Sequence, residues 1–459
     1  MTPNALSMPR EIAPRHPRLE KPLMRSRKLS LGMAGLLAFF LIIVPITPAR
    51  AQAQTETVLY SFSKSSGFVP FSGVIFDSAG NLYGTTENGG NGTVGVLYEL
   101  SPAAGGGWDQ KVLHTFKLNG TDGAYPFATP IFDASGNLYG TTSDGGANAL
   151  GTVFEMIPAA GDTWAEKVIH SFNTTNGENP QSSLIFDAAG NLYGTTSHGG
   201  SSSTTGACPT PVFTGCGTVF ELERRPGMGW VEKVLYNFNF SGAEPYDLIA
   251  GLVFDSAGNL YGTTVYGGTY GYGTVFKLSP TASGNWTETT LHNFNRDGTD
   301  GAYPGTGGLI FDASGNLYGT TVTGGSGSNP EGTVFELTPG AGGLWTETVL
   351  HSFQQSHSDG YAPGDSTLIF DASGNLYGTT QLGGSSNKGT VFELSTTGSG
   401  SWTETLLYEF GALPDGDGPL GGVVLDRAGN LYGTTGYGGA YSNAICGSIH
   451  CGTVFEVTP

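Results

Sequence analysis

The run Gly80-Asn81-Leu82-Tyr83-Gly84-Thr85-Thr86 recurs without a change beginning at Gly136, Gly190, Gly258, Gly315, Gly374 and Gly429. Each copy closes a Phe/Leu-Asp-x-x-Gly-Asn stretch, whose aspartates are Asp77, Asp133, Asp187, Asp255, Asp312, Asp371 and Asp426. Successive aspartates lie 56, 54, 68, 57, 59 and 55 residues apart. Seven copies at so steady a period mark a repeat architecture.

Each interval holds four short strand-like segments, and the fourth unit shows them. Gly251-Leu252-Val253-Phe254 is a compact apolar run, Asn259 to Thr264 a second strand, Gly273 to Leu278 a third, and Trp286 to Phe294 a fourth. Ser256-Ala257-Gly258 is a tight turn, with Gly258 free to take positive φ. Period-2 alternation predicts that Trp286, His292 and Phe294 share a face. Ser279-Pro280 ends the third strand, because proline has no N–H for the ladder. Four antiparallel strands repeated seven times predict an all-β fold, a seven-bladed β-propeller.

The strand count predicts how the ring closes. The fourth strand opens on Trp108, Trp164, Trp230, Trp286, Trp345 and Trp402, six times, and the chain ends at Pro459 after a seventh third strand. Thr55-Glu56-Thr57-Val58-Leu59-Tyr60-Ser61-Phe62 repeats Thr346 to Phe353 almost letter for letter. Residues 55–62 are therefore expected to form the outer strand of the last blade, which removes an exposed sheet edge.

Residues 1–53 differ from the rest. They carry eight of the chain's 19 Lys and Arg but only Glu11 and Glu20, then an apolar run from Leu31 to Ile46 and Ala49-Arg50-Ala51. That pattern reads as a signal peptide with a long basic lead-in, and translation from Met24 would shorten it. A retained anchor is the alternative. The remaining domain, 54–459, is expected outside the cytoplasm, in the periplasm, on the cell surface or secreted. Removing the leader takes the net charge from −19 to −25, which disfavours nucleic acid and anionic lipid as partners. The 75 Gly suit a chain that turns constantly, and the 11% aromatic content supplies a core. A monomer is expected.

The run D-x-x-G-N-L-Y-G-T-T followed by G-T-V-F-E-L resembles the GloVer tandem repeat of secreted bacterial choice-of-anchor proteins. The resemblance spans the 54–459 domain. It implies a propeller-like fold and a surface anchor, and it brings no catalytic residues; the chain ends at Pro459 with no apolar tail. More distantly, D-x-x-G-N-L-Y is similar to the inner strands of NHL-type blades, where the apolar run before the Asp lies nearest the axis.

The seven aspartates invite calcium, but an Asp opening a tight turn is explained by capping N–H groups, and calcium needs six or more converging oxygens. Asp297-Gly298-Thr299-Asp300-Gly301 and Asp415-Gly416-Asp417-Gly418 have calcium-loop composition without a full EF-hand ligand series. No cofactor is expected, with calcium the weak exception. His114, His170, His292 and His351 occupy a fourth-strand slot that elsewhere holds Tyr60, Tyr236 and Tyr408, which reads as packing. His198, His357 and His450 are single loop residues without a metal-motif partner. The invariant Thr pairs read as packing, and Glu99, Glu155, Glu221, Glu336, Glu393 and Glu456 of the third strand as exposed or inter-blade. Cys208 and Cys216 flank an insertion in the third unit, Cys446 and Cys451 the matching loop of the seventh. In an exported chain these read as two disulfides, with a four-thiolate zinc site as the alternative.

No nucleophile or phosphate-loop motif stands out, so no catalytic residue is assigned and the reading leans away from an enzyme. Residues shared by all blades build the blade; distinct function belongs to the loops joining strands two and three and those joining blades, which share one face. These carry Tyr125, Tyr246, Tyr303, Tyr361, Asp122, Asp300 and Asp359 between blades, and Tyr266, Tyr270, Tyr272, Tyr437 and Tyr441 within them. Tyrosine, an apolar ring with a polar tip, suits recognition of a glycan or a protein. The expected function is a non-catalytic binding module using that face. The alternatives are a hydrolase or lyase at the axial opening, and a purely structural surface protein. An opening lined by Gly251, Gly307, Gly308, Gly421 and Gly422 would favour binding or scaffolding; two carboxylates or a histidine there would favour catalysis.

Overall fold

An aspartate-centred turn opens every blade. In the fourth copy Asp255 Oδ1 accepts the backbone N–H groups of Ala257 (2.9 Å) and Asn259 (2.8 Å), while Oδ2 accepts Asn259 Nδ2 (2.6 Å) and the Tyr261 hydroxyl (3.0 Å). Gly258 completes the turn at φ 81°. The same four bonds recur at Asp77, Asp133, Asp187, Asp312, Asp371 and Asp426. Turn capping therefore accounts for the invariant aspartate.

The computed structural model describes residues 54–459 apart from 93, 202–207, 209–214, 240–244, 397–399, 442–445 and 447–450. The expected signal peptide of residues 1–53, and His450, lie outside the described residues. The chain forms a seven-bladed propeller of four-stranded antiparallel sheets. In blade 4 the strands are Val253–Phe254, Leu260–Thr264, Thr274–Pro280 and Trp286–Asn293, hydrogen-bonded in chain order. The last blade takes its first three strands from Val424–Leu425, Leu431–Thr435 and Thr453–Thr458. Its outer strand is Thr55–Ser61, registered from Thr55↔Thr458 to Ser61↔Thr453. The two ends of the domain thus close the ring as the strand count requires. Among the described residues no helix is long and apolar enough to cross a membrane.

The invariant glycine of each second strand answers to sterics. A Cβ on Gly262 would meet Phe276 Cζ at 2.7 Å and Leu252 Cδ2 at 3.0 Å. The tip of the third-strand ring fills the space over this glycine, and Phe276 is completely buried there. Each such burial contributes about 2 kcal/mol. The hydrophobic core is distributed between blades. Tyr261, Val275 and Phe294 of blade 4 pack on Leu309, Leu317, Phe335 and Leu337 of blade 5.

Two polar devices stitch neighbouring blades. The first Thr of the repeat, Thr263 excepted, donates its hydroxyl to a carbonyl of the next blade, as in Thr141 to Ser182 (3.0 Å) and Thr434 to Ser72 (2.6 Å). This is a bond the packing interpretation of the Thr pair did not foresee. At each junction one residue bonds both blades: Tyr303 donates its N–H to Tyr272 O (2.9 Å) and accepts Val322 N–H (2.9 Å). It does so at φ 57°, and Val69, Tyr125, Asn179, Asp247 and Ala362 hold the equivalent left-handed positions. Such a backbone costs of order 1 kcal/mol in a non-glycine residue and persists because both blades hold it.

The expected shared face of Trp286, His292 and Phe294 is not observed. A bulge between the Val275↔His292 and Phe276↔Thr290 pairs inserts Leu291 and inverts the alternation. Trp286 and Glu288 stay on the face of Phe276, whereas His292 crosses to that of Val275 and looks at the next blade. Cys208 is bonded to Cys216 and Cys446 to Cys451, so the disulfide reading holds and the four-thiolate zinc alternative falls.

Candidate functional sites

The inner strands of all seven blades converge on an axial pocket of about 460 Å³. Its lining includes Ile75, Ile131, Ile185, Ile310, Ile369 and Val424, one from each of six inner strands. Gly73, Gly251, Gly308, Gly421 and Gly422 also reach it; Gly307 does not. The rings of Phe71 and Phe127 meet edge to face at 5.2 Å on its rim. Among the described residues Asp365 is the one carboxyl group in the lining, and no histidine is there. Its Oδ1 accepts Thr306 N–H (3.3 Å) and the Thr306 hydroxyl (3.1 Å). Burial holds its pKa above the usual carboxylate range, and the Thr306 bonds offset that in part. Among the described residues the two-carboxylate arrangement expected of a catalytic opening is not found.

Four of the expected loop tyrosines come together on the face from which the inner strands begin. Tyr246 stacks on Tyr266 (5.5 Å, 24°), Tyr266 meets Tyr303 (5.6 Å), and Tyr303 meets Tyr272 (5.5 Å). Tyr266 is 39% exposed and neighbouring Tyr270 57%. Asp247 lies beside them, its carboxyl pushed up to about 6 by burial. Tyr246 and Tyr303 sit three residues before Ile249 and Thr306 of the pocket wall, so the same segments build the platform and the pocket.

The other expected residues are placed apart from this platform. Tyr125 keeps its junction role and packs on a core cluster. Tyr361 is buried and donates to Asn387 Oδ1 (2.7 Å). Tyr437 pairs with Asp417 in a short ladder, and Tyr441 is exposed. Asp122, Asp300 and Asp359 turn inward to His114 (3.1 Å), His292 (3.2 Å) and His351 (3.6 Å). In the two calcium-like loops, Asp297 caps Thr299 and Asp300, and Asp415 accepts the Tyr408 hydroxyl (2.9 Å) and Gly411 N–H (2.6 Å).

These His–Asp pairs belong to clusters that the sequence reading missed. A glutamate from the next blade's outer strand completes each: His114/Asp122/Glu166, His292/Asp300/Glu347 and His351/Asp359/Glu404, with ligand atoms all within 4.8 Å of one another. Such groups can hold a metal ion. The histidine slot does pack, His292 lying 4.8 Å from Phe294, but its Nε2 faces acids. Burial, then Asp300, holds Glu347 well above the ordinary range, and burial, then Asp359, pushes Glu404 up to about 7. The signal was available: His at the slot, Asp eight residues on, and Glu two after the next blade's Trp. The third-strand glutamates are inter-blade only in part, since Glu155, Glu221, Glu336 and Glu456 accept the second-strand tyrosine hydroxyl of their own blade (2.8–3.0 Å).

Residues 42–208, 205–347 and 287–459 match the Gloeobacter/Verrucomicrobia repeat model. The chain belongs to that repeat family. Among curated proteins none matches it. Solved structures similar to this repeat protein include a gluconolactonase from Xanthomonas campestris (13% identity, 71% of this chain and 86% of that one, TM-score 0.38). A luciferin-regenerating enzyme (14%, 72% and 90%, 0.39) and a protein of unknown function from Dyadobacter fermentans (13%, 88% and 98%, 0.43) are also similar. At such identities and scores they carry no argument about the chemistry of this chain.

Proposed function

We propose that this propeller is an extracytoplasmic binding protein that takes a glycan on its loop face, seated on Tyr246, Tyr266, Tyr272 and Tyr303. The carrying observation is that aromatic cluster, four rings in sequence with one edge open to solvent. Sugar rings present an apolar face to stack and hydroxyls to bond, and the tyrosines with Asp247 offer both kinds of contact. A −25 domain disfavours a polyanionic glycan, so a neutral or basic one is expected. Glycan-array screening of the exported domain tests this: a hit that is lost in both Tyr266→Ala and Tyr303→Ala supports it, and a hit indifferent to both sinks it.

A second reading, a hydrolase or lyase acting at the axial opening, is favoured by Asp365. A carboxyl group whose pKa burial raises in an apolar pocket suits a general acid. The His–Asp–Glu clusters have metal-site chemistry too, but they join outer strands, three strand spacings or about 14 Å out from the pocket wall. A metal held there would not reach a substrate on the axis. Turnover of chromogenic esters, lactones or glycosides that disappears in Asp365→Asn would replace the first reading with this one.

A further inference from the structure

The seams between blades repeat one three-residue constellation with different chemistry, and the variation identifies what the charged versions need. At the last seam the slots hold Tyr60, Ser66 and Gln110. All three are neutral and satisfy one another: the Tyr60 hydroxyl donates to Gln110 Oε1 (3.2 Å) and Gln110 Nε2 donates to Ser66 O (2.7 Å). At the seam before it, Tyr408 donates to Asp415 across from Glu56. Where the first slot is histidine and the others are acids, the set does not close on itself.

Each acid of the charged seams is fixed from behind. Gly123 N–H (2.7 Å) holds Asp122, Asn295 N–H (2.9 Å) holds Asp300, and Gln354 N–H (2.8 Å) holds Asp359. Their other contacts face the histidine Nε2. Inside the clusters Glu166 Oε1, Glu404 Oε1, His351 Nε2 and Asp359 Oδ1 are shut off from solvent and make no hydrogen bond, and Glu347 Oε1, equally buried, has the Asp300 carboxyl beside it. Glu56 Oε1 and Glu232 Oε1 are left unpaired at two seams that lack the full set. Buried polar atoms left this way are costly, and among the described residues only in the three seams that set His and Asp opposite the glutamate do the ligand atoms also converge to within 4.8 Å.

We infer that the seams His114/Asp122/Glu166, His292/Asp300/Glu347 and His351/Asp359/Glu404 each bind one divalent cation of the zinc class. One imidazole nitrogen and two carboxylates are a donor set for zinc, with water completing the shell. Calcium, which takes six or more oxygens, fits them poorly. Zinc bonds of about 2.0–2.2 Å place tetrahedral ligand atoms roughly 3.3–3.5 Å apart. The His–Asp separations of 3.1, 3.2 and 3.6 Å bracket that spacing, and the glutamate, on a longer side chain, closes from within 4.8 Å. Because histidine and aspartate come from one blade and its linker, and glutamate from the next blade, the ion ties adjacent blades at their outer edges.

The test is zinc stoichiometry of the full chain, stripped with chelator, dialysed, then titrated with zinc chloride by calorimetry and checked by elemental analysis. The thiols are tied up in disulfides and do not compete. Three equivalents are expected, falling to two in Glu347→Gln, a change that the Gln110 seam already accommodates. Tyr408→His, which would complete a set with Asp415 and Glu56, is expected to raise the count to four. Zinc should also raise the melting temperature of the wild-type chain. No retained zinc, or a count indifferent to both substitutions, overturns the inference. So does a Glu347→Gln chain that melts higher than wild type without zinc bound by either, which would assign the seam to a proton.

Discussion

Glu232 offers a quantitative test of how the blades meet. It stands on the outer strand of blade 3, in the seam with His170 and Asn176 of blade 2. Its polar contact to that seam is Asn176 Nδ2 at 3.4 Å, and its Oε1 is buried without a partner. Burial pushes its pKa up to about 7 from 4.5, with the Asn176 bond pulling weakly the other way. A raised carboxyl pKa means the folded state prefers the protonated form. The penalty is absent below pH 4.5, develops as pH rises from there to 7, and is complete above 7. At about 1.36 kcal/mol per unit the shift corresponds to roughly 3 kcal/mol, which partial exposure reduces to about 1–2 kcal/mol. Glu232→Gln abolishes the penalty, and the homologous Gln110 shows that an amide fits such a seam. The variant should gain about 1–2 kcal/mol at pH 8 and almost nothing at pH 4.5, read from urea midpoints at the two values. His170, depressed to about 4 by burial, is present in both chains, so its own titration largely cancels from the comparison. A gain that is equal at both pH values, or a loss at pH 8, would refute the argument.

Other outcomes follow from the blade and the ring. Asp255→Ala removes four hydrogen bonds at once, two of them to backbone N–H groups, and should cost about 2–3 kcal/mol; an unchanged midpoint would contradict the capping role. Deleting residues 55–62 leaves Thr453–Thr458 as an open edge, so size-exclusion chromatography should show larger species than for the intact chain. Alkylation followed by mass spectrometry should find no free thiol until reductant is added, given the Cys208–Cys216 and Cys446–Cys451 bonds.

The fold was legible because its determinants are local and repeated. The Asp-x-x-Gly-Asn turn, the glycine under the third-strand ring and the Thr55–Phe62 echo of Thr346–Phe353 each carry their reason in the residues themselves. What escaped was non-local. Whether His292 faces the core or its neighbour depends on a single inserted residue, Leu291, which no alternation pattern reveals. The partner of His292, Glu347, lies 55 residues away on another sheet, so the cluster emerges only when blades are set side by side. The loop tyrosines were identifiable as a class, yet Tyr361 and Tyr303 have similar sequence settings and different fates. Tyr361 stands where blade 5 has Ala302 and is buried against Asn387, whereas Tyr303, one residue further on at the junction position that Ala362 holds in the next blade, joins the exposed platform with Tyr266 and Tyr272.

The central functional claim concerns the loop face, and the most direct measurement compares one bound oligosaccharide across three chains by titration calorimetry. Wild type and Asp365→Asn should bind it alike and leave it intact, while Tyr266→Ala should weaken it at least tenfold, the loss of one aromatic stacking contact of about 1.4 kcal/mol. Unaltered binding by Tyr266→Ala together with loss of binding, or of cleavage, in Asp365→Asn would contradict the account and move the site to the axis.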